Sequence, residues 1–455
     1  MLQLLLPFQI LFIPGLILLL LWCIYRVIAK KDRAVGLVLY ISLVIIVDGF
    51  LNTGLYIPGL EQGSIRYSEI CAFFLFLSGT AKELPEHNDR TIIILLAFFY
   101  FLLMFVSGLR GYTVKDGIFE FRKIMLPQII SFVLAYKGFK GRDDYKRFLF
   151  FLGALLIIIG LVTFWDVFFD RSLLKSDMLY KPEYWNNRRA GRFGSFFLNP
   201  NLMGAFAVLV FPVMFIRTFI EEITWKRIYC AVGLLALSFA LIETQSRGPL
   251  LGVIISLFFL FAIPTRTLSM AKKIGYWMLF LTVFYLFMPG FFEHVTERFE
   301  KVKPETNIEA VSREVMWSFT QRIISDYPLA GIGFGEKQYI EYALRYGFKE
   351  EYSSMPLDNP HNSYLEMAVF AGIPALFIFI LFNILMVKKG IGVILMHKGD
   401  ELSLYLAGLL AGILGFLASA YVDMHMFTAT VAPVYWLTCG LAYSMMSSAK
   451  RFENI

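Results

Sequence analysis

Three short strings in this sequence couple a helix-start signal to groups that bind anions. They are Asn199-Pro200-Asn201, Ser246-Arg247-Gly248-Pro249 and Asn359-Pro360-His361-Asn362. Asn or Ser ahead of Pro marks a helix start, because Pro at the first helical position lacks only an N–H that no intrahelical carbonyl would have accepted. Such a start offers open backbone N–H groups and a partial positive charge. Three starts converging beside Arg247 and His361 are therefore expected to form an anion site. Two further cations belong to the same set: Arg192, just before Phe193-Gly194-Ser195, and Arg313, in Ser312-Arg313-Glu314-Val315-Met316-Trp317. Arginine suits phosphate because its planar guanidinium donates two parallel hydrogen bonds and stays charged. The competing reading is that these arginines bind headgroups or pair with Glu243, Glu314 or Asp326. It is preferred for Arg188 and Arg189, and not for Arg247, which is boxed between Gln245 and Gly248-Pro249.

The elements that must position these strings are membrane spans. Of 455 residues, 58% are hydrophobic and 17% charged, whereas soluble domains carry about a quarter charged residues. The apolar residues gather into stretches of about 17 to 25, enough for a helix to cross roughly 30 Å of hydrocarbon. The pattern predicts an all-α integral membrane protein, a polytopic bundle of about 12–14 helices. Spans are expected at 4–28, 35–56, 65–81, 91–107, 120–136, 148–169, 200–216, 228–243, 249–264, 274–290, 363–387, 403–421 and 428–448. The first reads as a retained span, since no small-residue cleavage site precedes the Arg26 to Arg33 cluster. Cys23, Cys71, Cys230 and Cys439 all fall in apolar stretches and read as small buried residues, neither a disulfide framework nor a metal site.

Lys and Arg give the orientation. Alternate short loops around 26–33, 82–90, 137–147, 217–227, 266–273, 388–398 and 450–451 hold about half of the 42 basic residues and mark the cytoplasm. Every long connection then lies outside, chiefly 170–199 and 291–362. The chain divides into ten spans over 1–290 with an exterior loop at 170–199, a large exterior loop over 291–362, and three spans over 363–455. A structureless loop of that length is uncommon, so 291–362 is expected to form a helical cap. Helical spacing runs from Thr306 to Asp326, and Tyr339, Tyr342, Ala343 and Tyr346 form a stripe read as packing. An anion so well provided for at a membrane surface is a lipid phosphate or diphosphate.

In these strings the sequence resembles the O-antigen ligase and O-antigen polymerase family of membrane glycosyltransferases. The resemblance rests on Arg192-Phe193-Gly194 with Asn199-Pro200-Asn201; on Thr244-Gln245-Ser246-Arg247-Gly248; on Ser312-Arg313 with Trp317 and then Pro328-Leu329-Ala330-Gly331-Ile332-Gly333-Phe334-Gly335; and on Pro360-His361-Asn362-Ser363-Tyr364-Leu365-Glu366 with Gly372-Ile373-Pro374. They cover the C-terminal 60% of the chain. The resemblance implies a GT-C-like fold with a periplasmic cap in the bacterial inner membrane. It implies a glycan donor on undecaprenyl diphosphate, and metal-independent, cofactor-free transfer to lipid A-core oligosaccharide (ligase) or to a second lipid-linked glycan (polymerase). Arg247, Arg313 and His361 match the family's essential residues. Ligases of the family have twelve spans, against thirteen counted here.

The residues themselves fit that chemistry. An anomeric carbon on diphosphate already has a leaving group, so catalysis needs cations on the departing oxygens and a base for the acceptor hydroxyl. Arg247 and Arg313 would hold the diphosphate, with Arg192, Gln245 and Asn201 beside them and Asn199, Asn362 and Ser246 in support. His361 would be the base, imidazole being the side chain that titrates near neutrality. Asp48, Glu69, Asp166, Glu243 and Asp423 lie in or near spans, where ionisable groups are costly and point to a role; the sequence assigns none. Asp143-Asp144 reads as solvated. A lipid-linked oligosaccharide flippase is the rival from another class. It requires polar residues at the membrane midplane, whereas polarity here gathers at one face. A receptor or assembly scaffold leaves the three helix starts unexplained.

Overall fold

The computed structural model describes residues 32–50, 54–55, 65–78, 91–139, 141–169, 187–263, 275, 308–348 and 359–449. The expected spans at 4–28 and 274–290 lie outside the described residues, the single position 275 excepted. Among the described residues the chain is an all-α polytopic membrane protein, with one two-residue antiparallel ladder, β1 (Gly54–Leu55) on β2 (Ile65–Arg66). Five helices are long and apolar enough to cross a membrane: α5 (Arg142–Phe169), α6 (Pro200–Ile220), α7 (Thr224–Glu243), α12 (Ile373–Met396) and α13 (Glu401–Ser419). Around them stand α1 (Arg33–Ser42), α2 (Tyr67–Ser78), α3 (Thr91–Gly108), α4 (Val114–Gly138), α8 (Arg247–Ala262) and α14 (Ala432–Ala449). Helices α9 (Ile308–Asp326) and α10 (Glu336–Arg345) belong to the long loop, and α11 (Ser363–Ala371) follows it.

Burial separates the centre from the periphery. In the apolar stretches of α6 and α13, 89% and 83% of residues are buried, against 44% and 39% for α7 and α12. The peripheral helices instead turn large apolar side chains outward at helical spacing, as in Leu251, Ile254 and Phe258 of α8 or Phe377, Ile380 and Ile384 of α12, the surface that lipid requires. At the centre, small residues let backbones approach. A Cβ on Gly412 would collide with the Leu209 carbonyl of α6, and one on Gly415 with the Gly252 carbonyl of α8. Trp436 of α14 fills the adjoining core against Tyr100, Phe132 and Phe382.

Several expected spans are reshaped. The 35–56 span is α1 followed by a π-helical turn, Leu43–Phe50. Of the 65–81 span, the described residues form β2 and the twelve residues of α2. The 120–136 span lengthens to the 25 residues of α4, which contains Pro127. Pro127 cannot donate to the carbonyl four residues back, and Arg66 donates to that Lys123 oxygen instead, at 3.0 Å. The 363–387 span is not one helix: it breaks between α11 and α12 at Gly372, whose φ of +84° excludes most side chains.

The break is held by the Pro328–Gly335 string. Ile332 and Gly333 donate backbone N–H to the Val369 and Phe370 carbonyls at 2.8 and 3.1 Å, and Ile373 donates to Pro328 at 2.8 Å. Arg110 donates to the Ala330 and Gly331 carbonyls from the other side. Gly331 and Gly333 sit at φ +61° and +105°, in backbone contact with α11 and with residue 110. The string is thus a strap that ties the long loop to the start of α12. Behind it, Tyr339 is buried and its hydroxyl meets Thr320 of α9, so this member of the aromatic stripe packs against the other loop helix.

Candidate functional site

The three helix starts form where expected, at α6, α8 and α11, but two of them are closed by their own caps. The Asn199 side chain accepts from the Asn201 N–H, and Asn362 accepts from the Tyr364 and Leu365 N–H groups. Ser246 makes no such bond at the start of α8; its hydroxyl donates to Asn201 Oδ1 at 2.8 Å. Three open N-termini around one anion are therefore not what the fold provides. The α6 and α8 starts do adjoin, since a Cβ on Gly204 would lie 2.6 Å from the Pro249 ring.

Asn201 is the hub. Its Oδ1 accepts from Arg192 at 2.6 Å and from Ser246, while its Nδ2 donates to Asp423 Oδ2. Arg192 also donates to the Thr244 carbonyl at 3.1 Å, and Gln245 Nε2 to the Gly191 carbonyl at 3.0 Å. The 191–193 and 243–246 segments are stitched together in this way. Asp423, in the connection between α13 and α14, takes the Met424 N–H at 2.8 Å on Oδ1 and faces His361 Nδ1 with the same oxygen at 3.5 Å. His361 in turn is set by its own backbone: φ is +47°, and its N–H donates to Asn359 Oδ1 at 2.7 Å. Gln245 is likewise left-handed, at φ +48°. Non-glycine residues rarely adopt this conformation, and they concentrate at functional sites.

Helix α9 closes over the top. Trp317 Nε1 donates to the Pro360 carbonyl at 2.8 Å and its ring meets Tyr421 edge-on. Arg313, one turn earlier on α9, acts electrostatically on both Asp423 and His425. Burial alone would raise the Asp423 carboxyl. The hydrogen bond from His361 and the charges of His425, His361 and Arg313 outweigh it and hold the group below the usual carboxylate range. For His425, burial and the Arg313 charge outweigh the pull of Asp423 and lower its basicity; its Nε2 lies 2.9 Å from the Ser419 hydroxyl.

Arg247 is exposed at the first residue of α8. Its neighbour Gly248 abuts Val422 and Ser419, which puts this helix start against the loop that carries Asp423. Arg188 turns inward: it is buried, donates to the Asp166 carbonyl at 2.8 Å and lies over the Phe193 ring. Sequence reasoning missed the centrality of Asp423 and did not single out His425 or Ser363, whose hydroxyl donates to the Asp423 carbonyl at 2.9 Å. The signal was present, because an acid at a span end is costly, but its partners lie more than sixty residues away.

Fold and site together define an all-helical membrane protein with a polar, arginine-bearing centre gathered at one end of its bundle. Residues 232–380, a third of the chain, match the family model described as O-antigen ligase (Wzy_C). The match spans Arg247, Arg313 and His361, the strap and α11, and it bears out the family resemblance over that stretch. No curated protein matches the chain.

Proposed function

We propose that this protein is an O-antigen ligase of the bacterial inner membrane. In this reading it transfers a glycan from undecaprenyl diphosphate to lipid A-core oligosaccharide on the periplasmic face, without a metal. The observation that carries the reading is the His361–Asp423 pair, with Arg313 acting on Asp423 and the helix start of Arg247 packed against the same loop; Arg247, Arg313 and His361 lie in the part of the chain that matches the ligase family. Orientation is supported by the other end of the bundle, where Arg142, Lys146 and Arg217 cluster with Asp400, Glu401 and Glu221; a basic end is the cytoplasmic one.

The step follows from these groups. Asp423 favours the tautomer of His361 that carries its proton on Nδ1, which makes Nε2 the basic nitrogen. The acceptor hydroxyl passes its proton to Nε2 as its oxygen bonds to the anomeric carbon. The bond from that carbon to the diphosphate oxygen breaks with its electron pair, and Arg247 and Arg313 stabilise the departing diphosphate. Arg192 and Asn201, engaged with each other and with Thr244, Ser246 and Asp423, act by positioning the carboxylate.

Deletion of the gene followed by gel analysis of lipopolysaccharide tests this. Loss of all long-chain material from the core, with lipid-linked polymer accumulating, is the expected result. A core bearing a single repeat unit would assign a polymerase instead, and an unaltered pattern would refute both. Purified protein in EDTA is expected to remain active on lipid-linked glycan, since the assigned groups are organic cations and a base.

A further inference from the structure

Beside the His361–Asp423 pair lies a cavity of about 420 Å³ that the step above does not use. Its near wall includes Asn359, which fixes the His361 backbone, and Met424, whose N–H binds Asp423. Its far wall is built by the N-terminal elements: Asp48 of the π-helical turn, Arg66 of β2, and Glu120 and Lys123 of α4. Neither Arg247 nor Arg313 lines it, so it is separate from the groups assigned to the diphosphate.

We infer that this cavity receives the terminal sugar of the acceptor glycan and that its N-terminal wall determines which acceptor is used. The inference rests on the transfer reaction proposed above. The size is within the range of about 300–1,000 Å³ typical of small-ligand sites. The lining is what a sugar needs. Carboxylates of Asp48 and Glu366 accept from hydroxyls, and the Arg66 and Lys123 cations donate to ring and hydroxyl oxygens. Phe334, Phe370 and Phe427, packed on one another with centroids 5.3 to 5.9 Å apart, supply a rigid apolar surface for the C–H face of a pyranose. Asp48 is a buried carboxylate at the end of a membrane helix, a position where such a group is costly and marks a function. The far wall falls outside the 232–380 family match. A wall of distinct polar chemistry beside the transferring groups is how one reaction is fitted to a particular acceptor.

The test uses the purified full chain, a lipid-linked glycan extracted from the deletion host, and unsubstituted lipid A-core from the same host. Initial rates are measured against each substrate for the parent, Asp48→Asn and Ala429→Trp; Ala429 lines the cavity, and its enlargement would fill it. The acceptor KM is expected to rise about tenfold or more in both variants, in Asp48→Asn as the equivalent of one lost charged hydrogen bond and in Ala429→Trp by occlusion, while the donor KM stays within about twofold. Thermal unfolding checks that each variant is folded, and the near-isosteric Asp48→Asn keeps the test decisive if the tryptophan variant does not fold. A parent that transfers to no acceptor overturns the reaction itself. A parent that transfers, with variants that keep its acceptor KM or lose donor and acceptor affinity equally, overturns the cavity assignment alone.

Discussion

The two ends of the helix bundle are both rich in charge and use it differently. At the basic end cations meet carboxylates directly: Arg142 with Asp400, Lys146 with Glu401, Arg147 with Asp144, Arg217 with Glu221. The first three pairs are at least partly exposed. The other end also has direct pairs, Arg122 with Glu69 and Lys337 with Asp116, but its buried Asp423 is met by an amide, a backbone N–H and a histidine, with Arg313 acting across the site. Direct pairing neutralises charge and holds loops together, whereas a carboxylate shared among weaker donors can orient a neighbouring imidazole. In the function proposed above, the basic end docks helices and the site end prepares the reaction.

The largest effect that separates the ends is expected from Asp423→Asn. Removing the charge allows the wrong tautomer of His361 and should lower turnover by up to about 10⁴-fold with donor affinity near the parent's, as loss of an orienting carboxylate does in hydrolytic triads. Single-turnover rates alongside donor binding measure this; parental turnover would show that Asp423 only packs. Its stability contribution has a defined pH window. Because the folded carboxyl is held below its ordinary value, the contribution is present above the unfolded value of about 3.9 and is lost as pH falls toward the folded one. The difference in thermal midpoint between parent and Asp423→Asn should shrink as pH falls below about 4.

Next come the groups that face substrate. Arg247→Lys keeps the charge but loses the two-point grip on phosphate, and Arg313→Ala loses both; each should weaken donor binding by about tenfold or more. His361→Ala should bind donor like the parent and fail in transfer. Normal turnover in His361→Ala would remove the base assignment, and parental donor binding in both arginine variants would move the diphosphate elsewhere.

How far the sequence exposes this arrangement depends on the range of the interaction concerned. Helix starts at Asn199, Ser246 and Asn362 are local patterns and are readable, as is the amphipathic α9. The state of those starts is not readable, because the same Asn that signals a cap decides, by folding back on N–H groups two or three residues on, whether any remain for a ligand. The break at Gly372 is hidden because hydropathy stays high across it. Gly372-Ile373-Pro374 marks the position, but only the strap, some forty residues earlier, shows what stabilises it. Asp423 stands out as an acid near a span, yet its role depends on Asn201 and His361, which hydropathy and periodicity cannot bring to one point.

The strap gives a prediction of intermediate size. A Cβ at Gly372 would collide with the Leu329 carbonyl and would have to adopt φ +84°. Gly372→Ala is therefore expected to destabilise the protein by about 3 kcal/mol and to lower activity per folded molecule, since α11 carries the loop that sets His361. Thermal unfolding with and without donor lipid measures it. A variant as stable and active as the parent would mean that the strap does not hold the site.

The smallest effect is expected at the basic end, and it is the control for the comparison. Asp400 pairs with Arg142 while both remain partly exposed, their side chains retaining 30% and 49% of their accessibility. Water screens such a pair and ordering its side chains opposes it, so exposed pairs contribute about 0–1 kcal/mol, less as salt rises. Asp400→Asn should therefore leave turnover unchanged within about twofold and lower stability by less than about 1 kcal/mol, a loss that disappears in about 1 M salt. Asp423→Asn should keep its defect at that salt, because a buried carboxylate is screened far less. The measurement is a matched pair of turnover and unfolding curves for the two variants at low and high salt. If neutralising Asp400 abolished transfer, or if salt erased the Asp423→Asn defect, the division between a docking end and a reacting end would fail.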